Sequence, residues 1–242
     1  MKTQITLALL PILASCFVHP SLELPKHVYE NANLVLSSDF VVRCDDILFT
    51  KAQSDFNRQI SGIPSVQRLT WRKAAELENV VINAMKGTPK TFLKVCEARK
   101  KFFRTLRTMW DSCINRYYLL KKLDSTTAQN ISAPFIYVQM WDRLDFLCNA
   151  GLEVALSNKF YTDTFKNTPA FQYCEKAFLD ALNSDGTNFC SPAQTFLDCT
   201  DKAFQDYDDK LIAGWFVCEN VRAGYTPDCP NLRCYVYKPS IH

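Results

Sequence analysis

Between positions 88 and 123, apolar residues recur at Leu93, Cys96, Phe103, Leu106, Trp110, Cys113, Tyr117 and Leu120, in steps of three and four broken only where Arg99 fills a slot. That is the stripe of a helix packed on its neighbours. Thr88-Pro89 supplies an N-cap hydroxyl and a proline at the first helical position, where its missing N–H costs nothing. No Gly or Pro interrupts 90–123, so the spacing predicts one long helix. On such a helix Cys96 and Cys113 stand roughly 25 Å apart, at about 1.5 Å per residue. A disulfide spans less than about 7 Å, so each cysteine must bond to another element and the stretch is expected to act as a central strut.

The same pattern divides the rest of the chain. Ser38-Asp39 caps a helix through Phe40, Cys44, Ile47 and Leu48, and the run Ser61-Gly62-Ile63-Pro64 breaks the chain. Residues 65–86 read as a helix on Leu69, Leu77, Val80, Val81 and Ala84, ended by Gly87 and Pro89. A polar link at 124–132 precedes a helical period over 135–156 through Trp141, Leu144, Cys148, Leu152 and Ala155. Thr168-Pro169 opens a helix with Cys174, Phe178 and Leu182, closed by an Asp185-Gly186 turn; Ser191-Pro192 opens another with Phe196, Cys199, Ala203 and Tyr207. Residues 211–223 carry Trp215 and Cys218 and stop at Gly224, followed by a tail pinned by Cys229 and Cys234. The expectation is an all-α, disulfide-stapled bundle of about five to seven helices. Residues 17–64 form an N-terminal arm tied by Cys44, and 65–242 form the stapled body.

Composition supports that class. With 48% apolar residues and only six glycines in 242 positions, helices are favoured over a turn-rich sandwich or barrel. A net charge of +3 is too small to argue by itself for nucleic acid or membrane partners. Met1-Lys2, the apolar run 5–13 and the small residues Ala14 and Ser15 read as a secretory signal peptide over 1–16. Leu13-Ala14-Ser15-Cys16 also has the form of a bacterial lipoprotein box, but ten further cysteines suit a eukaryotic secretory route better. Those ten are Cys44, Cys96, Cys113, Cys148, Cys174, Cys190, Cys199, Cys218, Cys229 and Cys234. An even number in an exported chain implies five disulfides, among roughly a thousand pairings. The sequon Asn130-Ile131-Ser132 marks a solvent-facing glycosylation site, and no apolar run approaches the ~18 residues of a spanning helix.

Candidate chemistry narrows the field further. The only histidines, His19, His27 and His242, lie at the chain ends, outside the expected disulfide body. Imidazole-based triads and His-based zinc sites are therefore improbable. G-x-S-x-G, G-x-G-x-x-G, Walker, H-E-x-x-H and C-x-x-C patterns are missing. No cofactor or metal is expected. Glu97, Glu153, Glu175 and Glu219 could serve a two-carboxylate glycosidase, although solvated or capping carboxylates are the simpler reading. Asp198, Asp201, Asp206, Asp208 and Asp209 lack the glycine and terminal glutamate of a calcium loop and read as a solvated acidic face.

The sharper signal is basic. Lys90, Lys94, Arg99, Lys100, Lys101, Arg104 and Arg107 face a single acid, Glu97, over 88–107. The simpler reading is the charged outer face of an amphipathic helix that meets the acidic 198–209 helix, with Phe102, Phe103 and Trp110 in the core. The functional reading makes Lys94, Lys100, Lys101, Arg104 and Arg107 a contact for an anionic glycan or a microbial surface.

From Cys174 to Cys234, Phe196-Leu197-Asp198-Cys199, Trp215-x-x-Cys218 and Asp228-Cys229-Pro230 give a spacing that resembles the secreted cysteine-rich helical proteins of nematodes. The resemblance covers about 96–234. It implies an extracellular all-α domain with four or more disulfides and no assigned activity. The function expected is that of a secreted, non-enzymatic binding protein at an epithelial or microbial surface. A small-lipid carrier and a two-carboxylate glycosidase are the alternatives.

Overall fold

The computed structural model describes residues 24–28, 43–85, 88–123, 131–157, 169–185, 187–208 and 211–235, with no strand among them. The signal peptide, the Ser38-Asp39 cap and Asn130 lie outside the described residues. Among the described residues from 43 onward, ten α-helices follow one another: α1 (Asp46–Ile60), α2 (Ala74–Met85), α3 (Pro89–Leu106), α4 (Trp110–Cys113), α5 (Arg116–Leu120), α6 (Ser132–Cys148), α7 (Leu152–Ser157), α8 (Pro169–Ser184), α9 (Cys190–Asp208) and α10 (Leu211–Tyr225). Seven of them run twelve residues or longer and carry the packing of an all-α bundle stapled by disulfides.

The organising element is α6 rather than the 88–123 stretch. Twelve of its seventeen residues, between Ala133 and Leu147, are buried, and Asp145 alone among residues 133–147 is exposed. Helices α2, α3, α5 and α10 all pack on it. Its Trp141 lies fully enclosed, stacked on Phe102 of α3 at 4.2 Å between ring centroids, with Phe56 of α1 at 4.7 Å and Trp110 at 5.7 Å. Edge contacts and offset stacks of this kind add to the stabilisation from area alone. Tyr137 of α6 anchors a buried polar chain. Tyr137 donates its hydroxyl to Gln53 of α1, Gln53 donates to Asn57 at 2.7 Å, and Asn57 donates to the carbonyls of Val66 and Leu69 at 3.0 and 2.8 Å. That buried chain of hydrogen bonds fixes the loop after α1 to the core.

The predicted long helix is not continuous. Thr88 is the expected N-cap, here in a capping box with Thr91, and Pro89 opens α3, but the helix ends at Leu106. Arg107 takes φ 48° and ψ −119°, the first central position of a type II′ turn that ordinarily takes glycine. The bend turns Trp110 into the aromatic cluster and carries Cys113 to Cys44. The apolar stripe is also displaced by one residue. The buried side of α3 is Phe92, Val95, Ala98, Phe102 and Leu106, while Leu93 and Phe103 stand 45% and 44% exposed.

Other boundaries moved for local reasons. The expected helix over 65–86 becomes two 3-10 turns, Val66–Arg68 and Trp71–Lys73, before α2; Thr70 caps the second by accepting from the Arg72 N–H. The expected helix over 135–156 breaks at Gly151, whose N–H donates to the Phe146 carbonyl at 2.8 Å and whose Cβ, if present, would lie 2.8 Å from the Phe146 ring. Helix α10 ends at Tyr225, one residue past the expected stop at Gly224, and the stem of Arg143 packs on that glycine. The segment around His27, expected outside the body, is docked on it: Leu24 and Val28 are buried and His27 Nε2 donates to the Leu182 carbonyl at 2.7 Å.

The disulfides fall into two groups. Cys44–Cys113 and Cys96–Cys148 staple the first half; Cys174–Cys199, Cys190–Cys229 and Cys218–Cys234 staple the second. Cys96 and Cys113 indeed bond to separate elements. No disulfide joins the halves, which meet where α10 packs on α6 through Phe146, Trp215 and Phe216, and where Arg116 pairs with Asp228. Helix α9 packs on α8 and α10. Its closest approach is at Gly214, where a Cβ would lie 2.3 Å from Asp201 Oδ1 and 2.5 Å from the Asp201 carbonyl oxygen. Gly214→Ala is expected to destabilise the protein by about 3 kcal/mol. Urea unfolding of the oxidised variant measures it, and an unchanged midpoint would show that α9 and α10 can part freely.

Candidate basic surface on helix α3

Helix α3 is held from two sides. Helix α1 covers one flank through Ala52 and Phe56, and the Cys96–Cys148 bond with the Arg99–Asp145 ion pair ties the other to α6. What remains outward is charged. Between α1 and α3 runs a groove of about 790 Å³, floored by Ala52, Phe56, Ala98 and Phe102 and edged by Arg58, Lys101, Arg104 and Arg107 with one carboxylate, Asp55. Asp55 pairs with Lys51 at 2.7 Å and with Arg58, and Lys101 pairs with Glu97 at 3.0 Å. Arg104 and Arg107 meet no acidic side chain among the described residues.

The expected contact set is therefore split. Lys101, Arg104 and Arg107 come together at the groove. Lys94, seven residues before Lys101, shares its helix face two turns away. Lys100 lies off the groove, on the side of α3 that carries Phe103. The acidic helix does not cover any of them: α9 packs on α8 and α10, and α3 packs on α1, α2 and α6. The solvated-face reading is corrected at Asp201, which is 1% exposed, accepts from Gln205 at 2.6 Å, and is pushed up to about 6 chiefly by burial, while Asp198 is half-buried and accepts from Gln194. Asp206, Asp208 and Asp209 have side chains outside the described residues.

Sequence reasoning missed Arg58, which it assigned to a separate arm, and it placed Leu93 and Phe103 in the core. A signal for the correct face was present: 92, 95, 98, 102 and 106 are apolar without a break, whereas the chosen stripe was interrupted at Arg99. Of the aromatic trio, Phe102 and Trp110 belong to the core cluster and Phe103 lies at its edge, 5.1 Å from Trp110. The four glutamates considered for hydrolysis sit on four helices. Glu97 bonds Lys101, and Glu219 accepts from Arg222 at 2.6 and 2.9 Å.

A second charged cluster centres on α6. Its Asp142 has an enclosed Oδ2 with no hydrogen-bond partner among the described residues, near Asp145, Arg99, Arg116 and Asp111. Burial and the Asp145 charge push its carboxyl up to about 7, with Arg99 and Arg116 opposing. Burial lowers the Arg99 guanidinium, and Asp145 and Asp142 counter that effect. Deeper still, Glu78 of α2 and Arg143 of α6 form an ion pair at 3.5 Å with both side chains buried. Breaking such a pair from one side strands a charge in the core.

These features define a class: a disulfide-stapled all-α protein with an exposed basic helix. No described helix is long and apolar enough to cross a membrane. No family model, curated protein or solved structure matches the chain.

An unfolded aspartate titrates near 4, so Asp142 holds its proton more tightly in the folded state. Its ionisation lowers stability as pH rises from about 4 through 7, after which the loss is complete. Asp142→Asn is expected to remove that slope and to raise stability at pH 8 by about 2 kcal/mol. Urea midpoints at pH 4.5 and 8 for both proteins decide the matter, and parallel pH profiles would refute it.

Proposed function

We propose that this is a secreted, non-enzymatic extracellular binding protein that attaches to an anionic surface, glycan-bearing or microbial, through the basic face of α3. The observation that carries the reading is the orientation of that helix: Lys94, Lys100, Arg104 and Arg107 point away from the body with no acidic partner among the described residues, and the acidic helix α9 packs elsewhere. Clustered cations without internal counter-ions raise the local concentration of an anionic partner and steer its approach. Export is supported by the signal-like N-terminus and by five disulfides, which persist in oxidising compartments. The resemblance to secreted nematode cysteine-rich proteins agrees with this setting.

Arg107 adds a local argument. Its positive φ costs about 1–3 kcal/mol in a residue with a side chain, and glycine would relieve it. A strained arginine at the mouth of a basic groove is what a binding role would retain.

The test uses the oxidised, glycosylated protein and a dextran sulfate column. Lys100, Lys101, Arg104 and Arg107 changed together to Glu is expected to abolish retention at 0.1 M salt, with the melting temperature kept within a few degrees because all four are exposed. Retention equal to that of the unaltered protein would overturn the reading. Arg107→Gly is expected to elute earlier from the same column while unfolding at a higher urea concentration, by about 1 kcal/mol.

A further inference from the structure

The face of α3 that points outward is not purely polar. Leu93, Cys96, Lys100, Phe103 and Arg107 follow one another in steps of three and four residues, which places the first four on one ridge of the helix. Cys96 is tied into Cys148, and the ridge to either side of it carries Leu93 at 45% and Phe103 at 44% exposure. Lys100 lies on the ridge between the leucine and the phenylalanine, Arg104 and Arg107 follow it, and Lys94 stands on the neighbouring exposed face beside Lys101. Nearby acids are few: Glu97 is paired with Lys101, Asp145 with Arg99, and Asp111 belongs to the turn after the bend. The ridge from Leu93 to Arg107 is about 20 Å long.

We infer that this ridge docks on an anionic lipid bilayer, with Lys94, Lys100, Arg104 and Arg107 at the headgroups and Leu93 and Phe103 entering the interface. The inference rests on the anionic-surface reading above and names its partner. Charge complementarity supports an anionic surface of any kind; the two apolar side chains separate the kinds. A sulfated polymer is hydrophilic along its length and offers nothing to Leu93 or Phe103. A bilayer accepts both, since amphipathic helices with Lys and Arg on the polar side and Leu or Phe on the other lie in the headgroup boundary. The side of α3 that carries Phe92, Val95, Ala98, Phe102 and Leu106 is buried in the body, so of its apolar side chains only Leu93 and Phe103 are left to enter. Two apolar groups make a shallow, reversible contact that depends on anionic lipid and falls as salt screens it.

The probe is a vesicle of phosphatidylcholine with about one third phosphatidylserine, assayed by co-sedimentation at 0.1 M and 0.5 M salt beside vesicles of phosphatidylcholine alone and the dextran sulfate column. The expected result is binding to the anionic vesicles only, lost at high salt. Leu93→Ser is expected to weaken vesicle binding roughly tenfold and to leave dextran sulfate retention unchanged. Phe103→Ser should do the same, and Leu93→Ser guards against any fold change from losing the Phe103–Trp110 contact. Vesicle binding insensitive to Leu93→Ser, or dextran sulfate retention with no vesicle binding, overturns the bilayer assignment and leaves the anionic-surface reading standing. Failure of the unaltered protein to bind either probe overturns both.

Discussion

A helix that carries apolar side chains round most of its circumference must be enclosed by its neighbours, and α6, with twelve of seventeen residues buried, is such a helix. The chain wraps α2, α3, α5 and α10 about it and leaves Asp145 at the surface. The disulfides then lock a wrapping that the apolar demand of α6 has already dictated. Cys148 at the end of α6 reaches Cys96, and no bond crosses to the second half, whose three disulfides fasten α8, α9, α10 and the tail to one another. The halves cohere through packing of α10 on α6 and through the Arg116–Asp228 pair.

Enclosing α6 has a consequence at the surface. Helix α3 is asked to give its best apolar residues to Trp141 and the rings around it, and Phe92, Val95, Ala98, Phe102 and Leu106 supply them. The neighbouring ridge is left outside, and Leu93 and Phe103 stay half exposed among lysines and arginines. Candidate function thus follows from core packing: the helix is fixed by one side, and the opposite side is free to present charge on a rigid support. The bend at Arg107 serves both ends, delivering Trp110 inward while leaving the arginine at the groove.

The helical class, the Thr88-Pro89 start, the set of paired cysteines and the separation of Cys96 from Cys113 were all legible in the sequence, because they depend on local spacing, capping chemistry and parity. The cations of α3 were legible as a cluster for the same reason. Their environment was not. Whether a basic stripe meets an acidic helix is a question about neighbours far apart in sequence, and α9 is turned toward α8 and α10 instead.

Two further decisions were completed by tertiary structure. Apolar residues at both 92/95/102 and 93/96/103 give α3 two candidate faces one residue apart; the unbroken run through Ala98 and Leu106 marks the first, and the rings of α1 and α6 fix it as the buried one. No Gly or Pro marks the end of that helix; it ends because Trp110 and Cys113 have partners that a straight helix could not reach. Local sequence thus determined what could be helical and what could be bonded. Long-range packing around α6 determined which side of each helix faces the core, and with it which lysines, arginines and apolar side chains remain to meet a partner.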